Sequence, residues 1–342
     1  MNPFRQISTL ALLLAPTLAH AATCESLTTL TIPNVAITSA LDVPAGGLAS
    51  SNTRAAALAD LPAFCRVAAT LRPSSDSDIK MELWLPAPSI WNGKYEANGN
   101  GGWSGSISST TLAAGLQRGY AASMSDLGHT GGSASFALGH PEKLIDYGYR
   151  AAHEMAVASK AIVTAFYGRA PKLSYWTGCS AGGRSAMMEA QRDPNDFDGI
   201  VAGAPGLNWT GRATQSMWIE QAAHKDESSY IPAAKYGIVH EAVLAACDAS
   251  DNAKDGVIED PTRCRFDPHE LLCKGADDGK CLTAPQVETA RAIYSTVVNP
   301  RTNQVISPGS ERGSELGWAT MAGPKPFAIG EFDRLNWPTL IV

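Results

Sequence analysis

The sequence contains no cluster of lysine or arginine, no internal repeat and no low-complexity segment. Nucleic acid is therefore excluded as a partner, because phosphate backbones are bound chiefly through a basic protein face. The 342 residues carry a formal net charge of −6, with 44% hydrophobic and 18% charged residues, which is typical of a globular chain of one large or two ordinary domains. We expect a small uncharged molecule, such as an ester, as the partner, and the sequence leaves the oligomeric state open.

A long apolar run is missing after the N-terminus, so we expect no membrane-spanning helix. Residues 1–21 carry one early charge at Arg5, an apolar stretch from Leu10 to Leu18, and the small-residue pattern Ala19-His20-Ala21. This combination predicts a secretory signal peptide. The mature protein is therefore expected to be soluble and either secreted or periplasmic, with no membrane partner.

Cysteine is sparse, and its count of seven is odd. Export makes disulfides the expected state of these residues. Cys24 and Cys65 are the only two cysteines before Cys179, so they can be paired with each other. Pairing Cys247 with Cys264 and Cys273 with Cys281 would close two small adjacent loops. The sequence does not prove this pairing, which leaves Cys179 without a mate.

One pentapeptide, Gly178-Cys179-Ser180-Ala181-Gly182, has flanks that define its local structure. The run from Leu173 to Trp176 before it is strand-like, and the run from Gly183 to Gln191 after it is helix-like. Further on, the apolar stretch from Phe197 to Ala204 predicts the next buried strand of a parallel sheet. The pentapeptide is thus expected on a tight strand-to-helix turn.

Such a turn matches the Gly-x-Ser-x-Gly nucleophile elbow, in which small residues tolerate a strained backbone and close packing. The hydroxyl of Ser180 would project from the sheet as a catalytic nucleophile. The N–H of Ala181, at the start of the following helix, would point at the oxyanion of an acyl-transfer intermediate. The pentapeptide by itself is also compatible with an ordinary glycine-rich turn, but its flanks favour the catalytic interpretation.

A glycine-dense loop from Asn98 to Gly105 follows another strand-like run, which ends at Ala97. Hydrolases of this architecture place a second oxyanion N–H in a loop after an early strand. Gly101 and Gly102 are therefore candidate oxyanion donors. A flexible surface turn is the alternative.

Two further regions are interpreted from their spacing and composition. Apolar residues recur at helical spacing from Tyr147 to Phe166, which predicts the helix before the nucleophile strand. His153 in this helix is expected to be a packed, hydrogen-bonded residue and not a catalyst. Beyond Pro205 the alternation of strands and helices stops, and helix-prone stretches alternate with cysteine-bounded loops, which predicts an inserted cap.

An aspartate-rich loop lies between Cys247 and Cys264. Calcium takes six to eight oxygen ligands, and aspartate is a preferred source of them. The oxygen donors that the loop offers are the carboxylates of Asp248, Asp251 and Asp255 and the carbonyls of Ala253 and Val257. The spacing is not that of an EF-hand, so an aspartate-rich surface turn is the alternative.

Together these motifs resemble those of the tannase and feruloyl esterase family, secreted serine esterases with an α/β-hydrolase fold. The elbow is similar in its cysteine before the serine and in the Gly183-Arg184 that follows it. The resemblance spans nearly all of the mature chain, and its other segments are Gly99 to Trp103, Ser125 to His129, Pro141 to Arg150, and Gly203 to Pro205.

The resemblance implies an α/β-hydrolase core, a mostly parallel sheet flanked by helices, over residues 22–206. It implies a lid domain over residues 207–342, inserted after this region, with Ca2+ bound in the aspartate-rich loop. It further implies that Cys179 is joined to a cysteine directly after the catalytic histidine, which would lie outside this chain. The implied activity is hydrolysis of aromatic acyl esters through an acyl-enzyme on Ser180, with feruloyl esters first and tannin galloyl esters or a terephthalate monoester as alternatives.

The chain departs from the family pattern in its catalytic triad. The fold orders the triad as serine, acid and histidine, and the last two lie beyond the lid in the family. No matching pair is found before Val342, so we expect an incomplete lid and a truncated, nearly inactive esterase. The alternatives are a base supplied by His224, His240 or His269, a non-catalytic binder of phenolic esters, and another secreted hydrolase such as a lipase or peptidase.

Overall fold

The structure, a computed structural model, describes residues 22–48, 58 and 60–324. The predicted signal peptide, residues 1–21, lies outside the described residues. The chain divides into two compact units: the first comprises the chain up to Gly132 together with Gly139–Pro205, and the second comprises Ser133–Leu138 and the chain from Gly206. Within the described ranges, no helix combines the length and the apolar character needed to cross a membrane.

A seven-stranded sheet forms the centre of the first unit. Its strands are β1 (Val35–Val43), β2 (Phe64–Leu71), β3 (Ile79–Pro86), β4 (Lys94–Asn98), β5 (Ala121–Ser125), β6 (Leu173–Cys179) and β7 (Gly199–Gly203). They lie in the order β1-β2-β3-β5-β4-β6-β7. The strands from β5 to β7 pair in parallel, whereas β1, β2 and β3 extend the sheet with antiparallel pairs.

Helices pack against this sheet in the first unit. They are α1 (Ser109–Gln117), α2 (Pro141–Ile145), a π-helix (Asp146–Arg150), α3 (Ala151–Tyr167) and α4 (Ala181–Arg192). The helix predicted from Tyr147 to Phe166 is confirmed, although its first turn is a π-helix. Most of its apolar positions are buried, although Val157 is 44% exposed, and Gly168 ends α3 in the left-handed conformation with φ 68°. His153 is hydrogen-bonded to Asp196 at 2.7 Å, as expected for a packed residue.

The prediction of a buried strand from Phe197 to Ala204 was wrong in its burial. A strand does form, as β7, but it is the last strand of the sheet among the described residues. Val201 in its centre is 62% exposed. An apolar run indicates a strand that can be buried. It does not indicate whether another strand or helix covers the outer edge of that strand.

The second unit is built mainly of helices. Its longer elements are α5 (Trp209–Ala223), α6 (Tyr236–Cys247), α7 (Ala284–Tyr294) and α8 (Ala319–Ala322), with a small two-stranded sheet of β8 (Val297–Val298) and β9 (Val305–Ser307). Its short 3-10 helices are Ala134–Ala137, Glu227–Ser229, Ala233–Lys235, Asp248–Asp251, Pro261–Arg263, Pro268–Leu271 and Glu315–Gly317, and another, Glu25–Thr29, precedes β1 in the first unit. Tyr236, Val239, Val243, Ile293 and Trp318 form part of one buried apolar cluster. This unit therefore has a hydrophobic core of its own.

Three disulfides are formed. They join Cys24 to Cys65 in the first unit, and Cys247 to Cys264 and Cys273 to Cys281 in the second. Cys179 is the one cysteine of the described residues without a disulfide, and it is exposed. The pairing considered from the sequence is thus the pairing in the structure.

The turns after β4 and β6 pack backbone against backbone. These strands are parallel neighbours, so the residues after their carboxyl ends lie side by side. A Cβ placed on Gly99 would lie 2.5 Å from the Cα of Gly182. Glycine at both positions is therefore what allows the glycine-dense loop to approach the turn that holds Ser180.

Alanine substitutions in the loop are expected to distinguish a glycine required for close packing from a glycine that is replaceable. Gly99→Ala puts a methyl group into the Gly182 backbone and should lower stability by about 1–3 kcal/mol, a fall of several degrees in melting temperature. Gly101→Ala is the matched control, because its Cβ would meet no atom within 4 Å. Thermal melts of the two variants measure the difference, and equal melting temperatures would contradict the close approach.

One carboxyl group in α4 is buried without a hydrogen bond. Glu189 is 1% exposed, and neither of its carboxyl oxygens has a partner among the described residues. Burial, together with the negative charges of Asp196 and Asp193, raises the pKa of Glu189 to about 8 against the opposing charge of Lys160. Glu189 is therefore protonated at neutral pH in the folded protein.

Glu189→Gln is expected to flatten the pH dependence of stability. The pKa of Glu189 in the folded state lies above its ordinary value of 4.5, so the unfolded chain releases a proton that the folded chain holds. Wild-type stability should fall as the pH rises from about 5 to about 8, by up to about 1.4 kcal/mol per pH unit. The glutamine variant cannot ionise, so it should lose less stability across this range.

Thermal melts between pH 5 and 9 measure the effect. Glu241→Gln, at an exposed position of α6, is the control and should follow the wild-type profile. Parallel profiles for wild type and Glu189→Gln would show that Glu189 is not the buried titrating group.

Candidate active site

Ser180 lies on a strained turn between β6 and α4. Its backbone has φ 59° and ψ −115°, a conformation that residues with a side chain rarely adopt. The turn is held by hydrogen bonds from the Ser180 N–H to the Gly203 carbonyl at 3.0 Å and from the Arg184 N–H to the Ser180 carbonyl at 2.9 Å. The result is an exposed serine at the carboxyl end of a parallel strand, the arrangement of a nucleophile elbow.

The helix after the turn directs backbone donors toward the serine. α4 begins at Ala181, two residues earlier than the helix-like run from Gly183 to Gln191 suggested. The first N–H groups of a helix have no partner within the helix. The Ala181 N–H therefore has no partner within α4, and the positive end of the helix dipole favours negative charge at this end of the helix.

The glycine-dense loop after β4 is fixed from its inner side by Asn100. The Nδ2 atom of this buried side chain donates to the carbonyls of Ser104, Ser106 and Ser125 at 3.1, 2.9 and 3.0 Å. Ser125 is the last residue of β5, so one amide group ties the loop to the next strand of the sheet. The loop is thus an ordered structure, not the flexible surface turn that was the alternative.

The candidate oxyanion donors lie in the middle of this loop. Gly102 has φ 53°, a left-handed conformation that favours glycine. The carbonyl of Gly101 accepts a hydrogen bond from the Ser104 N–H at 3.0 Å. The Tyr147 hydroxyl donates to the Gly102 carbonyl at 2.7 Å. Both peptide groups that flank Gly102 are therefore held in place.

His129 supports the same loop from the Ser125 to His129 segment. Its Nε2 atom lies 2.7 Å from the Trp103 carbonyl, so this nitrogen carries the proton and donates. Burial lowers the pKa of His129, which favours the neutral ring. The Gly105 N–H also donates to the Gly131 carbonyl at 2.6 Å, which closes the end of the loop onto the same segment.

Sequence reasoning did not identify Asn100, His129, Tyr147 and Arg184 as residues that organise the site. All four lie in segments that resemble the family. That similarity was the signal that could have marked them as important, although it did not say what each residue does. Hydrophobic spacing could not reveal them, because their role depends on carbonyl groups brought close only by the fold.

No histidine is hydrogen-bonded to Ser180 in the part of the chain that the structure describes. The other histidines with polar contacts use them elsewhere: His140 with Asp76, His153 with Asp196, His224 with the Gly323 carbonyl, and His240 with Glu315. His269 is exposed on a 3-10 helix. The three cap histidines considered as a base therefore have no contact that supports this role.

The aspartate-rich loop wraps around one carboxylate. Asp248 is buried and accepts hydrogen bonds from the N–H groups of Asp255, at 3.3 Å, and Gly256, at 3.1 Å. Asp251 and Asp255 each accept one local backbone N–H, from Ala253 at 2.8 Å and Val257 at 3.1 Å. The three carboxylates are not gathered within 4.8 Å of one another.

A different set of possible metal ligands lies closer together in the second unit. One ligand atom each of Cys273, Asp277 and Cys281 lies within 4.8 Å of the others. Cys273 and Cys281 form a disulfide, however, so neither sulfur is a thiolate. Because a thiolate is the form of cysteine that binds metals, this group is better described as a disulfide with a neighbouring carboxylate.

The chain is similar to known proteins of one family. The family model described as tannase and feruloyl esterase matches residues 65–328. An uncharacterized esterase of Xanthomonas campestris is 45% identical over 300 residues, which cover 87% of this chain and 52% of the relative. A probable feruloyl esterase B-1 of Aspergillus fumigatus is 36% identical over 256 residues, which cover 74% of this chain and 48% of the relative. The chain thus spans about half the length of the curated relatives it matches.

Solved structures show the same fold. Feruloyl esterase B from Aspergillus oryzae matches with a TM-score of 0.77 and 32% identity, over 89% of this chain and 62% of that one. Tannin acyl hydrolase from Aspergillus niger matches with a TM-score of 0.61 and 22% identity, over 94% of this chain and 68% of that one, and is similar in fold alone. The chain has an α/β-hydrolase fold and belongs to the tannase and feruloyl esterase family.

Proposed function

We propose that the protein is a secreted or periplasmic serine esterase that hydrolyses aromatic acyl esters, with feruloyl esters as its first substrate class. The observation that carries the proposal is the strained backbone of Ser180 at the start of α4, beside an ordered glycine loop with donors for an oxyanion. Three disulfides in the described residues support an exported protein. Because the chain spans about half of its curated relatives, the activity is proposed for the whole protein.

In the proposed reaction the Ser180 oxygen attacks the ester carbonyl, and the alcohol leaves from the resulting tetrahedral intermediate. The acyl group stays on Ser180 until water releases it as the acid. The N–H groups of Ala181 and Gly102 are the proposed oxyanion donors, with Gly101 as the alternative in the loop. A general base must take the serine proton, and the proposal assigns no residue of this chain to that role.

The choice of feruloyl esters rests on the relatives. Several curated relatives near 35% identity are named probable feruloyl esterases. The feruloyl esterase B structure matches with a TM-score of 0.77, whereas the tannin acyl hydrolase matches with 0.61. Galloyl esters and terephthalate monoesters remain the alternatives within the same chemistry.

We also propose that residues 207–342 belong to the lid domain and that residues 22–206 form the catalytic core. Cys179, exposed and unpaired beside Ser180, is proposed to form its disulfide with a cysteine outside this chain. A disulfide at this position would fix the residue next to the nucleophile to another part of the whole enzyme.

In the whole protein, Ser180→Ala is expected to lower the turnover of methyl ferulate by at least about 10³-fold, because the nucleophile is removed while the oxyanion donors remain. Ser89→Ala, at an exposed turn, is the control and should keep wild-type turnover. The measurement is the initial rate of ferulate release, with melting temperatures to show that both variants are folded.

The same assay on a panel of esters tests the substrate class. Methyl ferulate, a galloyl ester, a terephthalate monoester, a long-chain acyl ester and a peptide are compared with wild-type protein. Preference for the long-chain ester or the peptide would overturn the proposal, and tight binding of methyl ferulate without turnover would identify a non-catalytic binder.

We further propose Ca2+ as the ion of the aspartate-rich loop. The donor set fits calcium, since the loop supplies three carboxylates and the Ala253 and Val257 carbonyls within one disulfide-bounded segment. Asp251 and Asp255 each use one carboxyl oxygen on a local N–H, which leaves the second oxygen without a hydrogen bond among the described residues. The ion would stabilise the loop against the mutual repulsion of its carboxylates and would take no part in ester hydrolysis.

Removal of the ion is expected to lower the melting temperature. A ligand present at 100 times its dissociation constant stabilises a fold by about 2.7 kcal/mol, so chelation should cost several degrees. Asp251→Asn should have the same effect and should make the protein insensitive to chelator. Asp278→Asn is the control, because Asp278 also accepts the N–H of the residue two positions on but lies in the other disulfide loop. An unchanged melting curve and no metal in the purified protein would remove the calcium proposal.

A further inference from the structure

We propose that Tyr147 and Arg184 are positioning residues, which couple the peptide group after Gly102 to the nucleophile turn and so hold in place the loop that carries the Gly102 donor. The inference rests on the proposed function, since it concerns the donors of that reaction. Neither side chain is assigned contact with the substrate. Both act through the backbone of other residues.

Tyr147 acts on the loop through the carbonyl of Gly102. In a trans peptide the C=O and the N–H point in opposite directions, so holding one fixes the other. The Tyr147 hydroxyl holds the Gly102 carbonyl at 2.7 Å, which sets the direction of the Trp103 N–H. The Ser104 N–H holds the Gly101 carbonyl at 3.0 Å, which sets the direction of the Gly102 N–H. Without the tyrosine hydroxyl, the peptide group between Gly102 and Trp103 would lose the hydrogen bond to its carbonyl.

Arg184 connects the same tyrosine to the nucleophile. Its Nη2 atom donates to the Tyr147 carbonyl at 3.1 Å, and its guanidinium lies 4.3 Å from the centre of the Tyr147 ring. The backbone N–H of Arg184 donates to the Ser180 carbonyl at 2.9 Å. A continuous set of contacts therefore runs from Ser180 through Arg184 and Tyr147 to Gly102.

The local backbone is built to place Tyr147 in this position. Tyr147 is in the π-helix Asp146–Arg150, a rare element that is often found at functional sites because it changes the direction of side chains within a helix. The first residue of this element, Asp146, is fully buried and accepts a hydrogen bond from the Arg150 Nε at 2.6 Å. The Tyr147 ring also stacks on Trp103 of the loop, with 4.9 Å between ring centres.

The chemistry of the hydroxyl agrees with a donor role. Tyr147 is 2% exposed, and burial raises the pKa of its hydroxyl, so the group keeps its proton. A protonated hydroxyl can donate to a carbonyl across the whole pH range in which an esterase works. Donors fixed before the reaction need no reorganisation when charge develops, which lowers the barrier without strengthening substrate binding.

Tyr147→Phe tests the coupling because it removes only the hydroxyl and keeps the ring that contacts Trp103 and Arg184. We expect kcat for methyl ferulate to fall about tenfold, a part of the loss seen when an oxyanion donor is deleted, with KM within about twofold of wild type. Tyr149→Phe is the matched control from the same π-helix, since its hydroxyl makes no hydrogen bond among the described residues and its ring packs on Arg192 at 3.9 Å. It should keep wild-type kcat.

Amide hydrogen exchange of residues 99–105 provides a second measurement, which does not depend on turnover. Exchange in this segment should be faster in Tyr147→Phe than in wild type and unchanged in Tyr149→Phe. Arg184→Lys keeps the charge but loses the planar contact, and it should also speed exchange in the segment. Equal exchange in all four proteins would overturn the coupling.

The two measurements separate this inference from the proposed function. If wild type cleaves none of the esters, the function fails, and the exchange data alone decide whether Tyr147 and Arg184 hold the loop. If wild type is active and Tyr147→Phe has the kcat of Tyr149→Phe, the positioning role is overturned. A rise in KM with unchanged kcat would also overturn it, since this is the result expected of a substrate contact.

Discussion

The candidate site depends on the parallel pairing of β4 with β6. This pairing places the residues after Asn98 and after Cys179 side by side at one edge of the sheet. Their backbones can then approach so closely that only hydrogen fits on Gly99 and Gly182. One turn presents the Ser180 hydroxyl and the other carries the proposed oxyanion donors, so strand order brings the two turns together.

The rest of the first unit maintains this contact. Asn100, His129 and Tyr147 each hold loop carbonyls, and they come from three different parts of the chain. The loop is therefore held by side chains and not by regular secondary structure.

Much of the first unit could be predicted from local sequence, because its signals are local. The strand, serine turn and helix around Ser180 follow from apolar spacing and from the glycines at positions 178 and 182. The helix that contains His153 follows from its periodicity. In the second unit, the short separations of 17 and 8 residues favoured the cysteine pairs that close the two small loops, without proving them.

What could not be predicted depends on distant parts of the chain. The burial of Glu189 without a partner, the hold of Tyr147 on Gly102 and the exposure of Val201 are set by which elements become neighbours. In the aspartate-rich loop the sequence gives the order of the oxygen donors, but the distances between them depend on the folded loop.

The outer side of β7 has a consequence for the behaviour of the polypeptide in solution. Backbone amides and carbonyls at the margin of a sheet pair readily with any extended segment that approaches, and an apolar side chain such as Val201 adds to the attraction. At high concentration, self-association should therefore begin at this margin. Covering this margin would protect solubility.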